Sequence, residues 1–214
     1  VIIDDAFQAI GLDKAAIYVK GLLSLLEHPP ERYERIIALV ATSEGVSRRE
    51  IGKHEWAEMR PIWNMPKEGF RQLYGQLPGS KPDFKEAWRL TGGNPRMLER
   101  LYENNWNSEA VIKELVNRKG IRLFVETLNS HYKELLISAL DDPDVLVSKD
   151  GVTLLNRLTE LNLTLDIPEW REDHYWVDEP PPERDAELGI GRYVAWQTPM
   201  HREAVRRVLE GVKS

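Results

Sequence analysis

The sequence predicts an α/β region followed by an α-helical region, and three features of its 214 residues lead to this fold class. Two continuous apolar runs, 1–3 and 36–41, are typical of buried parallel strands, and an amphipathic segment, 12–27, separates them. Segments with helical periodicity fill most of the middle of the chain. Two further strand candidates, 163–167 and 192–197, flank an acidic loop near the C-terminal end.

Composition excludes several classes of protein. The chain is 42% hydrophobic and 30% charged, as in an ordinary globular domain, and its net charge of -6 argues against nucleic-acid binding by the molecule as a whole. Cysteine is absent, which excludes disulfides and thiolate metal sites. With no signal peptide and no apolar run long enough to cross a bilayer, we expect a cytoplasmic protein without a membrane partner.

The chain begins with an apolar run, Val1-Ile2-Ile3, and has no initial methionine. A strand of core type is rarely exposed at a free terminus. We therefore expect the sequence to be a fragment of a longer protein, cut within a sheet.

The first two strand candidates both end in polar residues. Asp4 and Asp5 follow the first run, and Thr42 and Ser43 follow the second. The intervening helix, ended by Pro29-Pro30, makes a β–α–β unit, which predicts parallel neighbours with a right-handed crossover. Ligands of open α/β sheets bind at the carboxyl edge, where carboxylates can hold hydrated Mg²⁺ and polarise a water, and hydroxyls can orient a terminal phosphate. The alternative interpretation of these polar residues is that they only cap the ends of the strands and bind no ligand.

The middle of the chain predicts a small helical cluster. Residues 46–56 are polar and indicate a solvated face, whereas 58–65 is predicted as a third strand, restricted to an edge by Pro61. Helices are predicted after Pro66 and Pro82, each with aromatic residues on its inward face.

A glycine turn, Thr91 to Leu98, then introduces a helix over about 95–104. Gly92-Gly93 predicts a tight turn, Asn94 an N-cap and Pro95 the first helical position. Arg96 is anomalous, because a cation in the first turn opposes the helix dipole by a few tenths to about 1 kcal/mol. An anion bound at the turn would remove that conflict. A solvated arginine is the alternative.

The C-terminal part predicts a helix over 108–118, another from 121 up to Pro143, a short strand at 145–147 and a helix over 152–161 that Asn162 could end. The two strands and a final helix after Thr198-Pro199 complete it. This order is typical of a winged-helix domain. The segment from Asp166 to Glu187, most of which is the loop between the strands, carries nine acids against two arginines.

With these motifs in order, the chain resembles the archaeal ATPase family, P-loop NTPases of the AAA+/STAND type. The resemblance implies a partial parallel P-loop NTPase sheet that is truncated before the Walker B strand, a helical lid and a C-terminal winged-helix domain. The implied domain bounds are 1–65, 66–119 and 120–214.

The resemblance also implies the cofactors ATP and Mg²⁺ and a role for each motif residue. Asp4 would be the Mg²⁺-linked Walker B acid, and Asp5 would stand where the catalytic glutamate usually stands. Ser43, with Thr42, would be the sensor beside the γ-phosphate. In the lid turn, Arg96 would face the phosphates. The remaining nucleotide contacts implied there are Gly93, Asn94 and Pro95.

Two departures from the family pattern affect the functional prediction. Asp5 is one methylene shorter than glutamate, so a water that it polarises must sit closer. The sequence has no G-x-x-x-x-G-K-[ST], so we expect the phosphate loop to lie upstream of Val1. The predicted function is therefore that of a C-terminal fragment of an ATP-binding and ATP-hydrolysing switch.

The alternative is a winged-helix binding module on a degenerate, inactive nucleotide fold. Its partner could be DNA, contacted through Arg202, Arg206 and Arg207, or a protein. The acidic loop would repel phosphates, which favours a protein partner or self-association. Two histidines, His131 and His201, are expected on helix surfaces and not as ligands.

Overall fold

The computed structural model describes residues 2–4, 12–29, 36–41 and 58–211. The chain divides into two compact units, Val1–Met59 and Arg60–Ser214. Among the helices of the described ranges, none combines the length and the apolar character that a bilayer span requires.

The first unit contains the predicted β–α–β arrangement. Its elements are β1 (Ile2–Asp4), α1 (Leu12–Glu27) and β2 (Leu39–Ala41). The two strands are parallel, with Ile2 opposite Leu39 and Asp4 opposite Ala41, which confirms the predicted parallel pairing. Val19 of α1 is buried, at 7% exposure. The crossover hand stays a prediction, and the predicted polar face at 46–56 lies outside the described residues.

The second unit begins with the predicted helical cluster. Its four helices are α2 (Lys67–Gln76), α3 (Phe84–Thr91), α4 (Pro95–Glu103) and α5 (Ser108–Arg118). Side chains of Asp83, Asn94 and Asn107 cap the last three by accepting backbone N–H groups of the first turn, as residues of these types favour. The inward faces meet around Phe70, which is fully buried and makes an edge-on contact with Trp88 at 5.5 Å between ring centroids.

The helix predicted from 121 up to Pro143 is wrong as a single element. Two helices occupy this segment, α6 (Ile121–Glu126) and α7 (Ser130–Asp141). The Thr127 hydroxyl donates to the Phe124 carbonyl at 2.7 Å, and the Asn129 side chain accepts the Tyr132 N–H at 2.9 Å. These local bonds compete with helix continuation, so the apolar period persists while the backbone breaks.

Two predicted strands are also wrong. Residues 145–147 fall in and just after a 3₁₀-helix (Pro143–Leu146), because Asp142 accepts the Asp144 N–H at 3.1 Å and starts a helical turn. Residues 58–65 form no strand, and Ile62 makes an isolated parallel bridge with Val177. Pro61 has no N–H to donate, which limits any ladder at this point.

The C-terminal elements follow the predicted order. They are α8 (Val152–Glu160), β3 (Thr164–Asp166), β4 (Val194–Trp196) and α9 (Pro199–Gly211). β3 and β4 are antiparallel, which confirms the predicted strand partnership. Asn162 ends α8 in the left-handed conformation, φ 51°, as predicted.

One large apolar core joins helices α4 to α9 of the second unit. It runs from Met97 and Leu101 in α4 to Leu209 in α9, and Trp196 is buried within it. The Trp196 indole donates to the Ala139 carbonyl at 3.0 Å, so its polar atom is satisfied. Residues on both sides of the predicted boundary at 119/120 therefore share a core, and the division into lid and winged-helix domain stays a prediction.

Candidate functional site: the Gly92–Arg96 turn and the β1 strand end

The Gly92–Arg96 turn connects α3 to α4 through two left-handed glycines. Gly92 has φ 60° and Gly93 has φ 82°, and both residues are buried. The Gly92 N–H donates to the Trp88 carbonyl at 2.8 Å, which closes the end of α3. These backbone angles are ones that residues with a Cβ rarely adopt, so the sequence signal of two adjacent glycines is explained.

Asn94 begins α4 as predicted. Its side-chain oxygen accepts the Met97 N–H at 3.0 Å, and Pro95 follows at the start of the helix. The Asn94 amide nitrogen donates to the Asn64 side-chain oxygen at 2.8 Å. The amide is thus held at both ends, so the shape of the turn is set by the protein itself.

Other parts of the chain pack closely against both glycines. A Cβ on Gly93 would lie 2.5 Å from the Met65 carbonyl oxygen, and a Cβ on Gly92 would lie 2.9 Å from Cδ of Pro199. The Met65 N–H donates to the Gly93 carbonyl at 3.1 Å. The supporting residues, Asn64, Met65 and Pro199, were not predicted as part of the site. No local sequence signal marks them, because they are distant in the chain from the turn.

Arg96 lies on the surface, with 60% of its side chain exposed, and forms an ion pair with Glu99 one turn further along α4. This carboxylate offsets the conflict between Arg96 and the helix dipole. An exposed pair at this spacing contributes only about 0.2–0.5 kcal/mol, so the guanidinium can exchange partners readily.

The β1 strand end carries the other predicted site residues. Asp4 is the last residue of β1 and lies opposite Ala41, the last residue of β2. Asp5, Thr42 and Ser43 come next in the chain and lie outside the described residues. In the described ranges, no group of three or more His, Asp or Glu side chains is arranged to hold a metal ion.

His201 is buried near the start of α9, which corrects the prediction that it lies on a helix surface, whereas His131 is exposed as expected. The Nδ1 atom of His201 lies 2.8 Å from the Thr198 hydroxyl. Burial, together with the positive charges of Lys119 and Arg100, lowers the pKa of His201 to about 3. The imidazole is therefore neutral at physiological pH.

Because His201 is buried and neutral, we expect the protein to lose stability in mild acid. Between pH 6.5 and 3 the unfolded chain binds a proton at His201 that the folded chain does not, so the free energy of unfolding falls as the pH falls. The contribution lost between pH 6.5 and 5 is about 2 kcal/mol. Urea unfolding of the wild type and of His201→Asn across this range measures it. Parallel pH profiles for the two proteins would contradict the prediction.

The arginines of α9 are engaged within the protein. Arg202 donates to the carbonyls of Ala186 and Glu187, both at 2.6 Å. Arg206 pairs with Glu203 at 2.9 Å, and Arg207 pairs with Glu203 and with Glu109 of α5. The three side chains that the DNA-binding alternative needs thus already have partners.

Comparison with known proteins finds a similarity in the N-terminal part of the chain. Residues 1–101 match a family described as an ATPase domain predominantly from Archaea. The matched residues include β1, β2 and the Gly92–Arg96 turn, and the match supports an ATPase-type nucleotide-binding domain. Searches of curated proteins and of solved structures found no match.

Proposed function

We propose that this chain carries the Walker B, sensor and lid parts of an ATP-driven switch of the AAA+/STAND type. The observation that carries the proposal is the family match over 1–101, which extends from β1 to the helix that begins at the Gly92–Arg96 turn. The strand end and the turn are thus both contained in the segment that is similar to an ATPase domain.

At the strand end, Asp4 would hold Mg²⁺ and Asp5 would polarise the attacking water. Thr42 and Ser43 would contact the terminal phosphate, so that its loss on hydrolysis is sensed. Catalysis of this kind consists of positioning and electrostatic stabilisation. Hydrolysis would then change the orientation of the helical lid, 66–119, and the winged-helix domain, 120–214.

At the turn, Arg96 would exchange Glu99 for a phosphate. The exposed pair with Glu99 is worth a few tenths of a kcal/mol, whereas a charge-assisted hydrogen bond to phosphate is worth about 1.5–3 kcal/mol. Phosphate is therefore the stronger partner. Gly93 lets the Met65 backbone pack closely against the turn, Asn94 keeps the turn in shape, and Pro95 would lie near the adenine.

The proposal requires a phosphate loop that the printed sequence does not contain, since no G-x-x-x-x-G-K-[ST] occurs in it. The test therefore uses a longer protein that includes this sequence and such a loop.

In that protein, Arg96→Ala is expected to weaken ATP binding or turnover by about ten- to a hundredfold. The effect should be larger for ATP than for ADP, because Arg96 would reach the terminal phosphate. Calorimetric titration and steady-state hydrolysis give the two quantities, and thermal unfolding without nucleotide should be unchanged.

Arg118→Ala is the matched control, because the Arg118 side chain is 59% exposed, much like that of Arg96, and pairs with Glu114 on its own helix. It should leave ATP affinity and turnover unchanged. If Arg96→Ala also leaves both unchanged, the turn is a helix cap and the proposed lid role is wrong.

The second candidate is a winged-helix binding module on an inactive nucleotide fold. The internal bonding of Arg202, Arg206 and Arg207 favours a protein partner over DNA in that case. The acidic loop between β3 and β4 also favours a protein partner, because its carboxylates would repel the phosphates of DNA.

A further inference from the structure

Three rings lie together on the loop that joins β3 to β4. Trp170 is 38% exposed and Tyr175 is 44% exposed, and their ring centroids are 5.2 Å apart. The ring of His174, which is also exposed, lies 4.0 Å from that of Tyr175. Large exposed rings that are grouped in this way are typical of binding surfaces.

The backbone beneath these rings is held firmly. Trp176 is buried, at 4% exposure, in a satellite core with Ile167, Leu188 and Ile190, and its indole donates to the Trp170 carbonyl at 3.1 Å. The Arg171 guanidinium donates to three backbone carbonyls further along the chain, those of Pro181, Pro182 and Arg192. The rings are therefore presented by a preorganised loop, which reduces the entropy lost on binding.

The same loop carries carboxylates that have no cationic partner among the residues that the structure describes. Five exposed acids lie between residues 169 and 179: Glu169, Glu172, Asp173, Asp178 and Glu179. Within the described ranges, no ion pair or side-chain hydrogen bond involves them. Arg171 is the cation of this segment, and its guanidinium is already used by the carbonyls described above. The charge presented to a partner is therefore negative.

We propose that residues 169–179, the aromatic–acidic loop, dock a lysine- and arginine-rich segment of a partner protein. Cationic side chains are attracted both to the faces of tryptophan and tyrosine and to carboxylates, so the two features of the loop select the same ligand. DNA would be repelled by the carboxylates. A second copy would bring an identical acidic loop, in a chain of net charge -6, so it is a poorer fit.

The test uses the full chain and a fluorescein-labelled Lys-Arg-Lys-Arg-Lys-Arg peptide, with fluorescence anisotropy read at two salt concentrations. Saturable binding that weakens with salt is expected. Glu172→Gln/Asp173→Asn should weaken it about fivefold or more. These two carboxylates do not cap the short 3₁₀-helix Asp173–Tyr175, so the fold should be retained.

Matched controls separate this surface from general attraction to an acidic protein. Asp150→Asn/Glu160→Gln removes the same charge from exposed positions elsewhere and should change the affinity less than about twofold. Trp170→Leu should weaken binding about three- to fivefold, whereas Tyr102→Leu, on a residue that is 37% exposed on α4, should not.

Several outcomes would overturn the proposal. They are no binding of the peptide, equal weakening by the control variants, or comparable binding of a duplex DNA. Sedimentation equilibrium adds a further one: a dimer that Glu172→Gln/Asp173→Asn converts to monomer would make a second copy the occupant. None of these readouts depends on nucleotide, so the result stands apart from the ATPase proposal.

Discussion

Asp144→Ala is expected to lower the free energy of unfolding by about 3–5 kcal/mol, because the Asp144 side chain is only 11% exposed and accepts several hydrogen bonds. The Asp144 carboxylate accepts the backbone N–H groups of Arg192, Tyr193 and Val194 at 2.7, 2.9 and 3.2 Å. It also accepts a bond from Arg184 at 2.8 Å. Alanine leaves the three backbone N–H groups without this acceptor at the start of β4, whereas Arg184 keeps the Asp142 carboxylate at 3.3 Å.

The pKa of Asp144 is consistent with this role. Partial burial raises it, but the hydrogen bonds from Arg184 and from the three backbone N–H groups outweigh burial and hold it below 3.8. The carboxylate therefore contributes stability above pH 3.8, and this contribution is lost as the pH falls through the folded-state pKa.

Urea unfolding at pH 7 measures the difference, with Asp150→Ala as the control. Asp150 is an exposed aspartate a few residues further along, and its replacement should change stability by less than about 0.5 kcal/mol. Equal stability of the two variants would mean that water replaces the carboxylate at the β4 strand start without loss.

Asp144 also shows what could not be predicted from the sequence. Three consecutive apolar residues predict a strand at 145–147, next to this aspartate. The conformation of the segment instead depends on a cap by Asp142 and on contacts with residues almost fifty positions away. Long-range partners of this kind leave no periodic signal.

Short-range signals are more informative. Asn94 and the proline after it predict the start of α4, and the structure confirms this start, because the capping bond spans only three residues. The break at Thr127 is also local, but the pattern does not predict it. The apolar period continues through it, and periodicity alone does not report a hydroxyl that bonds back to a carbonyl.

In the candidate site, too, local features could be predicted from the sequence and long-range contacts could not. The turn conformation at Gly92 and Gly93 could be predicted from residue types, because left-handed backbone favours glycine. The contacts that hold the turn, from Asn64, Met65 and Pro199, could not, since they depend on how distant segments pack. Sequence thus predicts the shape of the turn but not its support.

Gly93→Ala is expected to lower the free energy of unfolding by about 2–4 kcal/mol. The left-handed backbone at φ 82° accounts for about 1–2 kcal/mol of this with a Cβ present. The rest arises from crowding, because the new Cβ would lie 2.5 Å from the Met65 carbonyl oxygen and 3.1 Å from the Trp88 ring. Backbone oxygen cannot move aside as a flexible side chain would, so the turn itself must shift.

Gly75→Ala provides the matched control on the same unit. Gly75 lies within α2 and is exposed, and an added Cβ there would have no atom within 4 Å, so alanine should be neutral or stabilising by about 0.5 kcal/mol. Urea unfolding of both variants compares the two glycines directly. A loss below about 1 kcal/mol for Gly93→Ala would mean that the Met65 segment yields to the new methyl group. The turn would then be adaptable, and the fixed geometry on which its proposed phosphate contact depends would not hold.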